Sequence, residues 1–211
     1  MQRGKYVVIE GNDGTGKSTQ VERINALLAA EGVISIEFHE PAGVPIADAI
    51  RTVIKDGTLE RDGETNLLLF TAARHEIWKQ AEKELAAGKW VIAARNYYST
   101  LAYQGYGEGL SLDLISDTMR TFTSDKYLNP DLALILSIDD SIREERISKR
   151  GKIERPDTFE SRDLDFQTRV NEGYLSIAQQ FDLTVVDASK SIDDVTEVVW
   201  AKVKNLLDSN T

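Results

Sequence analysis

The sequence contains no cysteine and only two histidines in its 211 residues. Without cysteine the chain has no disulfide framework and none of the thiolate ligand sets of zinc ribbons or iron–sulfur clusters. No apolar run approaches the length of a membrane-spanning helix, and the residues after Met1 do not form a signal-peptide pattern. We therefore expect a soluble, cytoplasmic protein that has no membrane partner.

Positive charge is also scarce, since 25 lysines and arginines stand against 35 aspartates and glutamates, a formal net charge of −10. A surface this acidic repels nucleic acid, which we exclude as a partner. With 41% hydrophobic residues the chain can bury a full core. No linker rich in proline, glycine or serine divides the sequence, so we expect a single domain over residues 1–211.

Short apolar runs alternate with helical patterns along the whole chain. Strands are predicted at 5–10, 33–38, 89–94, 132–138 and 183–188. Helices are predicted at 17–31, 44–55, 64–87, 111–123, 139–150 and 192–208. Because the strands are apolar on both faces and joined by helices, the pattern predicts an α/β fold with a five-stranded parallel sheet that is flanked by helices on both faces.

The stretch "GNDGTGKSTQ" matches the pattern GxxxxGK[ST] directly after the first strand. Its glycines allow a nest of backbone N–H groups around phosphates, Lys17 would reach the β- and γ-phosphates, and Ser18 would bind Mg²⁺. We therefore predict a P-loop NTPase fold that binds ATP with Mg²⁺. The predicted ATP-binding residues are Gly11, Asn12, Asp13, Gly14, Thr15, Gly16, Lys17, Ser18 and Thr19.

Other nucleotide-binding classes lack their motifs in this sequence. The dinucleotide fingerprint GxGxxG is absent, which disfavours an NAD-binding protein. No N-K-x-D tetrad supports a GTPase, and no strand ends in the Asp-Glu pair expected of a motor ATPase. A glycine-rich turn without a ligand is the remaining structural alternative.

A second anion-binding group follows the third strand, where Arg95 precedes Tyr97, Tyr98, Tyr103 and Gln104. Ligands bind at the carboxyl ends of parallel strands, guanidinium groups hold phosphate, and aromatic rings stack on bases. The segment therefore predicts a pocket for a phosphate attached to an aromatic base. A surface arginine beside core tyrosines fits the same pattern equally well.

Two further segments carry weaker signals. Phe70 and Arg74 share one face of a predicted helix, a spacing that by itself is more typical of a core aromatic and a solvated charge.

Gly151 and Pro156 interrupt the basic segment 146–157, which predicts a short lid at about 149–158 over the ATP phosphates. A solvated basic face is the alternative. The basic residues are Arg146, Lys149, Arg150, Lys152 and Arg155.

In their order along the chain, these segments resemble the thymidylate kinase family, whose members transfer the ATP γ-phosphate to dTMP. The matching segments are "IEGNDGTGKSTQ", "HEPAG", "LLFTAAR", "ARNYYSTLAYQG" and "PDLALIL" followed by "KRG…ERPD". The resemblance implies ATP and dTMP as substrates, Mg²⁺ as cofactor, and a homodimer packed through helices. The apolar face of the 64–87 helix is the candidate contact.

The resemblance also implies individual roles. Phe70 would stack on thymine, Arg74 would bond the base, and Tyr103 would lie against the 2′ carbon of the sugar. The implied dTMP-binding residues are Asp13, Pro41, Arg51, Phe70, Arg74, Arg95, Ser99, Tyr103 and Gln104. The implied catalytic residues are Lys17, Asp13, Arg95, Arg150 and Arg155. The implied metal ligand is Ser18, with Asp13 and Asp157 acting through water.

The sequence departs from the family pattern at four places. Ala94 stands where the family has aspartate, His39 where it has arginine, Ala42 where it has glycine, and Ser137 where an acid is common. These departures concern rate, metal use and substrate choice rather than the fold. They leave open a kinase for another deoxynucleotide or deoxynucleoside, and a catalytically weakened nucleotide-binding relative.

Overall fold

The computed structural model describes residues 3–149, 158–159 and 162–209. The strands are β1 Tyr6–Gly11, β2 Ser35–His39, β3 Trp90–Ala94, β4 Leu132–Ser137 and β5 Thr184–Asp187. The longer helices are α1 Lys17–Ala30, α2 Pro45–Lys55, α3 Gly63–Ala86, α5 Leu112–Phe122, α7 Asp140–Lys149, α8 Leu164–Gln180 and α9 Ile192–Asp208. Between β3 and α5 lie the short helix α4 Tyr97–Thr100 and a π-helical segment Leu101–Gly107, and α6 Asp125–Leu128 precedes β4.

The five strands form one sheet in the order β2-β3-β1-β4-β5, and every neighbouring pair is parallel. The predicted five-stranded parallel sheet is therefore confirmed. The central strand β1 pairs with β3 on one side and β4 on the other, so the order of connection reverses at β1. In such sheets ligands bind beyond the carboxyl ends of the strands at this point, which here is Gly11.

Alternate residues of each strand enter two separate apolar layers. On one face Val7 and Ile9 pack with α1 and α9, and the predicted helix face of Val21, Ile24 and Leu28 is fully buried there. On the other face the remaining strand residues pack with α3, α5 and α8. Within the described ranges, no helix is both long enough and apolar enough to span a bilayer.

The sequence prediction omitted helix α8, although its apolar residues recur at helical spacing. Gly173 weakens the helical pattern, because glycine is a poor helix former. Packing requires glycine at position 173, since a Cβ there would lie 2.7 Å from Cβ of Tyr106 in the π-helical segment. This close contact packs α8 against the segment that carries Tyr103 and Gln104, and the hydroxyl of Tyr174 on α8 contacts Arg95 at 3.2 Å.

Candidate active site

The glycine-rich loop from Gly11 to Gly16 joins β1 to α1. Gly11 has φ +139, and a Cβ there would lie 2.3 Å from the carbonyl oxygen of Leu136 on β4, so only glycine fits this position. Helix α1 begins after Gly16, which has φ +93 and provides no side-chain cap. By contrast, α3, α5, α8 and α9 are each capped by an aspartate or serine side chain. The backbone N–H groups in the first turn of α1 have no side-chain cap and are therefore available to bind an anion.

Lys17 and Ser18 lie at this helix terminus in a cavity beside the loop. The Lys17 side chain is buried, and its Nζ donates to the carbonyl oxygen of Asn12 at 2.8 Å. Ser18 is exposed to the cavity, which Thr19 also lines. The predicted phosphate loop therefore has the geometry of a phosphate site, with one ammonium and one hydroxyl at the N-terminus of a helix.

Arg95 follows β3 directly and adopts the left-handed backbone conformation, with φ +74. A non-glycine residue rarely takes this conformation, and such strain is concentrated at functional sites. Its Nη1 donates to the carbonyl oxygen of Gly11 at 3.1 Å, to Ser99 Oγ at 3.1 Å and to Tyr174 Oη at 3.2 Å. The guanidinium is therefore held against the end of β1.

Glu10 orients the groups that surround Arg95, although no sequence pattern indicates a role of Glu10 toward Arg95. Its buried carboxylate accepts backbone N–H groups of Asn96 at 2.7 Å and Ser99 at 3.0 Å, at the start of α4. It also accepts the hydroxyls of Ser99 at 2.8 Å and Tyr174 at 3.1 Å. The two hydroxyls that contact Arg95 are thus oriented by a buried carboxylate one residue before the phosphate loop.

Asp13 forms an ion pair with Arg95 Nη2 and accepts the Tyr103 hydroxyl on its other oxygen at 3.1 Å. Burial by itself would raise the pKa of Asp13, but the charges of Arg95 and Lys17 bring that pKa well below its ordinary value. Asp13 is therefore ionised at neutral pH. Both of its oxygens have protein donors, which makes it an orienting partner of Arg95 and Tyr103.

A second cavity opens on the other side of Asp13 and Arg95, between α2, α3 and the π-helical segment. Sequence reasoning missed Glu40, Ile54, Lys55 and Phe159 in its lining. The contributions of Ile54, Lys55 and Phe159 depend on chain packing and no local motif marks them, whereas Glu40 lies in the family-like segment "HEPAG". All of the dTMP-binding residues that the family resemblance implied lie around this cavity: Asp13, Pro41, Arg51, Phe70, Arg74, Arg95, Ser99, Tyr103 and Gln104.

Arg74 is only 1% exposed, so the interpretation of this residue as a solvated charge is wrong. Its Nε donates to Glu40 Oε2 at 2.9 Å, and its Nη1 donates to Thr100 Oγ1. The guanidinium carbon lies 5.0 Å from the ring centre of Phe70. One face of α3 therefore presents an aromatic ring and a fixed cation to the cavity, as a site for a planar base requires.

The cavity beside the loop and the cavity between the helices share Asp13, Glu40, Arg51, Lys55 and Arg95 in their linings. A group bound to the loop and a group bound between the helices would therefore meet at the same cations. Arginine and lysine at such a junction suit the transfer of a negatively charged phosphoryl group.

Tyr97 and Tyr98 do not line the acceptor cavity; they pack in the core against Phe181, because α4 directs them away from it. Ala94 and His39 are partners in the β2–β3 register, so two departures from the family pattern are neighbours in space. The predicted lid residues Arg150, Arg155 and Asp157 lie outside the described residues.

A phosphate loop on a parallel sheet, joined to an arginine-lined acceptor cavity, defines the class of P-loop nucleotide kinases. A family model described as thymidylate kinase matches residues 9–199. The chain belongs to the thymidylate kinase family, which confirms the resemblance inferred from the sequence.

Relatives named thymidylate kinase match over nearly their whole length. The thymidylate kinase of Deinococcus radiodurans is 34% identical over 96% of this chain and 98% of the relative. That of Magnetococcus marinus is 35% identical over 96% of each chain. That of Geobacillus sp. is 35% identical over 98% of this chain and 99% of the relative. The similarity therefore includes the phosphate loop, the acceptor segments and the lid segment together.

Proposed function

We propose that this protein is a cytoplasmic dTMP kinase, which transfers the γ-phosphoryl group of ATP to dTMP and forms dTDP and ADP. The observation that carries the proposal is the junction of the two cavities at Asp13, Arg51 and Arg95 in a member of this family. The comparisons favour neither a kinase for another deoxynucleotide or deoxynucleoside nor a weakened relative.

On the ATP side, Lys17 would hold the β- and γ-phosphates, together with the N–H groups of the loop and of the first turn of α1. Within the described ranges, no group of three or more histidine or acidic residues could hold a metal ion. Mg²⁺ nonetheless fits, because it commonly takes only one or two protein oxygens and completes its octahedral shell with phosphates and water. Ser18 supplies such an oxygen beside Lys17. When bound, Mg²⁺ would neutralise charge on the phosphates.

On the acceptor side, Arg95 and Arg51 would bind the phosphate of dTMP at the cavity junction. Thymine would lie at the opposite end, stacked on Phe70, with Arg74 and Gln104 at its polar edge. The sugar would lie against Tyr103, whose hydroxyl is fixed by Asn12 at 2.7 Å and by Asp13. This arrangement would set the dTMP phosphate next to the ATP γ-phosphate.

In the proposed reaction a phosphate oxygen of dTMP attacks the γ-phosphorus, and the bridging oxygen leaves with ADP. Such transfers require positioning and charge stabilisation more than covalent chemistry from the protein. Lys17 and Arg95 would supply the fixed cations, and Asp13 would orient Arg95. Arg150 and Arg155 remain the proposed lid cations, and Asp13 and Asp157 the proposed partners of metal-bound water.

The proposal is tested by ADP release with dTMP, dUMP, dCMP, dGMP, dAMP and thymidine as acceptors in the presence of ATP and Mg²⁺. We expect the highest kcat/KM with dTMP, and no turnover of thymidine, because thymidine has no phosphate for Arg95 and Arg51. Preferred use of a purine nucleotide or of thymidine would contradict the proposal.

We also propose that the protein is a homodimer that packs through α2, α3 and α5. These helices expose Ile46 (57%), Leu68 (63%) and Phe122 (52%) around one apolar groove, whose lining also includes Ile50 and Thr71. Contiguous exposed apolar residues of this size typically mark a protein interface. The groove includes the apolar face of the 64–87 helix that the sequence suggested.

Leu68→Asp should convert the dimer to a monomer, because the interface would bury a carboxylate without a partner, at a cost of several kcal/mol. Light scattering coupled to size-exclusion chromatography measures the mass, which should fall from twice the chain mass of 23.6 kDa to that of one chain. Leu175→Asp is the matched control, since Leu175 is 49% exposed on α8, away from the groove. A monomeric wild-type protein, or equal effects of the two substitutions, would contradict the dimer.

A further inference from the structure

We infer that Glu40 and Tyr127 are positioning residues for Arg74, and that the charge of Glu40 determines how tightly the acceptor cavity binds a thymine base. The inference rests on the proposed function, which places the base at Arg74. No sequence pattern indicates a role for Tyr127 or a role of Glu40 toward Arg74, although Glu40 lies in the family-like segment "HEPAG". Tyr127 lines neither of the two cavities, so it can act on the base only through Glu40.

The three side chains share one oxygen atom. Glu40 Oε2 accepts Arg74 Nε at 2.9 Å and the Tyr127 hydroxyl at 2.6 Å. All three side chains are buried, and the Tyr127 ring packs against Tyr6 and Trp78 with centroid distances of 6.1 and 5.4 Å. A hydroxyl held this firmly fixes the carboxylate, and the carboxylate in turn fixes the guanidinium plane.

The bonds of Arg74 to Glu40 and Thr100 leave one of its nitrogen atoms for a ligand. Nε is bound to Glu40 and Nη1 to Thr100, whereas Nη2 has no hydrogen-bond partner within the described ranges. Arg74 lines the acceptor cavity, so Nη2 is the donor available to a base. Thymine presents the O4 acceptor at the position where cytosine presents an amino donor, so a fixed donor favours thymine over cytosine.

The charge of Glu40 depends on its surroundings. The groups that face it are Arg74 from α3, Tyr127 from α6 and Glu10 and Tyr6 from β1, with Asp13, Arg51, Lys55 and Arg95 around the shared cavities. Burial raises the pKa of Glu40 to about 7, although Arg74 and the Tyr127 hydrogen bond lower it. The raised pKa means that Glu40 takes up a proton as the pH falls through 7. Arg74 then loses its counter-charge and is held less firmly, because only the bond from Nη1 to Thr100 is unaffected.

Inhibition by thymidine tests whether the charge of Glu40 controls binding of the base. Thymidine would bind through its base and sugar, and it carries no phosphate that titrates near pH 6. In the wild-type enzyme the inhibition constant of thymidine against dTMP should rise up to about tenfold from pH 8 to pH 6, with the slope of one proton. Tyr127→Phe removes a hydrogen bond to the ionised carboxylate, so the midpoint should move up by about one pH unit. Its KM for ATP should stay unchanged.

Glu40→Gln is the second variant and should give weak inhibition that no longer depends on pH, so it tests the inference even if Tyr127→Phe folds poorly. Tyr98→Phe is the matched control, because the Tyr98 hydroxyl is buried but donates to the carbonyl oxygen of Leu128 at 3.4 Å. It should retain the wild-type profile, and thermal melts verify that each variant is folded.

Two results would overturn the inference while leaving the proposed function intact. One is a wild-type enzyme that turns over dTMP but binds thymidine equally at pH 6 and pH 8. The other is a pH profile of thymidine inhibition whose midpoint moves no more in Tyr127→Phe than in Tyr98→Phe. An enzyme with no dTMP turnover would instead overturn the proposed function, and the inference with it.

Discussion

Lys17→Met should lower kcat by about 10²–10³-fold, the typical effect of removing one preorganised group that stabilises transition-state charge. The Lys17 ammonium is buried at the N-terminus of α1, where the proposed β- and γ-phosphates bind. Methionine keeps the unbranched shape of the side chain but lacks the charge and the N–H donors of lysine. The carbonyl oxygen of Asn12 would lose the Lys17 bond but keep the hydroxyl of Thr15 at 2.9 Å, so the loop should remain folded.

Initial rates with ATP and dTMP measure this effect, and a thermal melt verifies the fold. Lys204→Met is the matched control, because Lys204 lies on α9 and pairs with Glu31 at 2.8 Å, away from both cavities. It should leave kcat unchanged. A folded Lys17→Met enzyme that keeps most of its kcat would show that the loop does not act on the transferred phosphate.

Arg95→Asn should raise the KM for dTMP by roughly 10- to 150-fold, because a hydrogen bond to a charged group contributes about 1.5–3 kcal/mol. Asparagine tolerates the left-handed backbone conformation that Arg95 adopts, so the substitution removes the guanidinium without adding backbone strain. The KM for ATP should change far less, since Lys17 and the N-terminus of α1 remain.

Kinetics with each substrate varied in turn separate the two values of KM. Arg120→Asn serves as the control, because Arg120 is half-exposed on α5 and pairs with Asp117 and Asp125 at the surface. Equal increases in KM for ATP and dTMP in Arg95→Asn would contradict the assignment of Arg95 to the acceptor phosphate.

The amino-acid sequence by itself determined the fold class and the phosphate loop. Buried parallel strands are continuous apolar runs, so each of them is visible locally, and the loop is one contiguous motif with a strand before it and a helix after it. The acceptor residues were also identified from the sequence, because "LLFTAAR" and "ARNYYSTLAYQG" resemble family segments in the right order. Their grouping around one cavity agrees with that prediction, while their binding of dTMP remains a proposal.

The tertiary structure alone decided which charges hold these residues in place. Glu10 and Tyr174 are 164 residues apart in sequence, and Glu40 and Tyr127 are 87 apart, yet each pair shares a hydrogen bond. No local pattern reports such contacts, because they arise only when α6 and α8 pack on the sheet. The same packing buried Arg74, which its sequence neighbourhood suggested was solvated. A buried charge needs a partner, and the partner is chosen by proximity in space rather than along the chain.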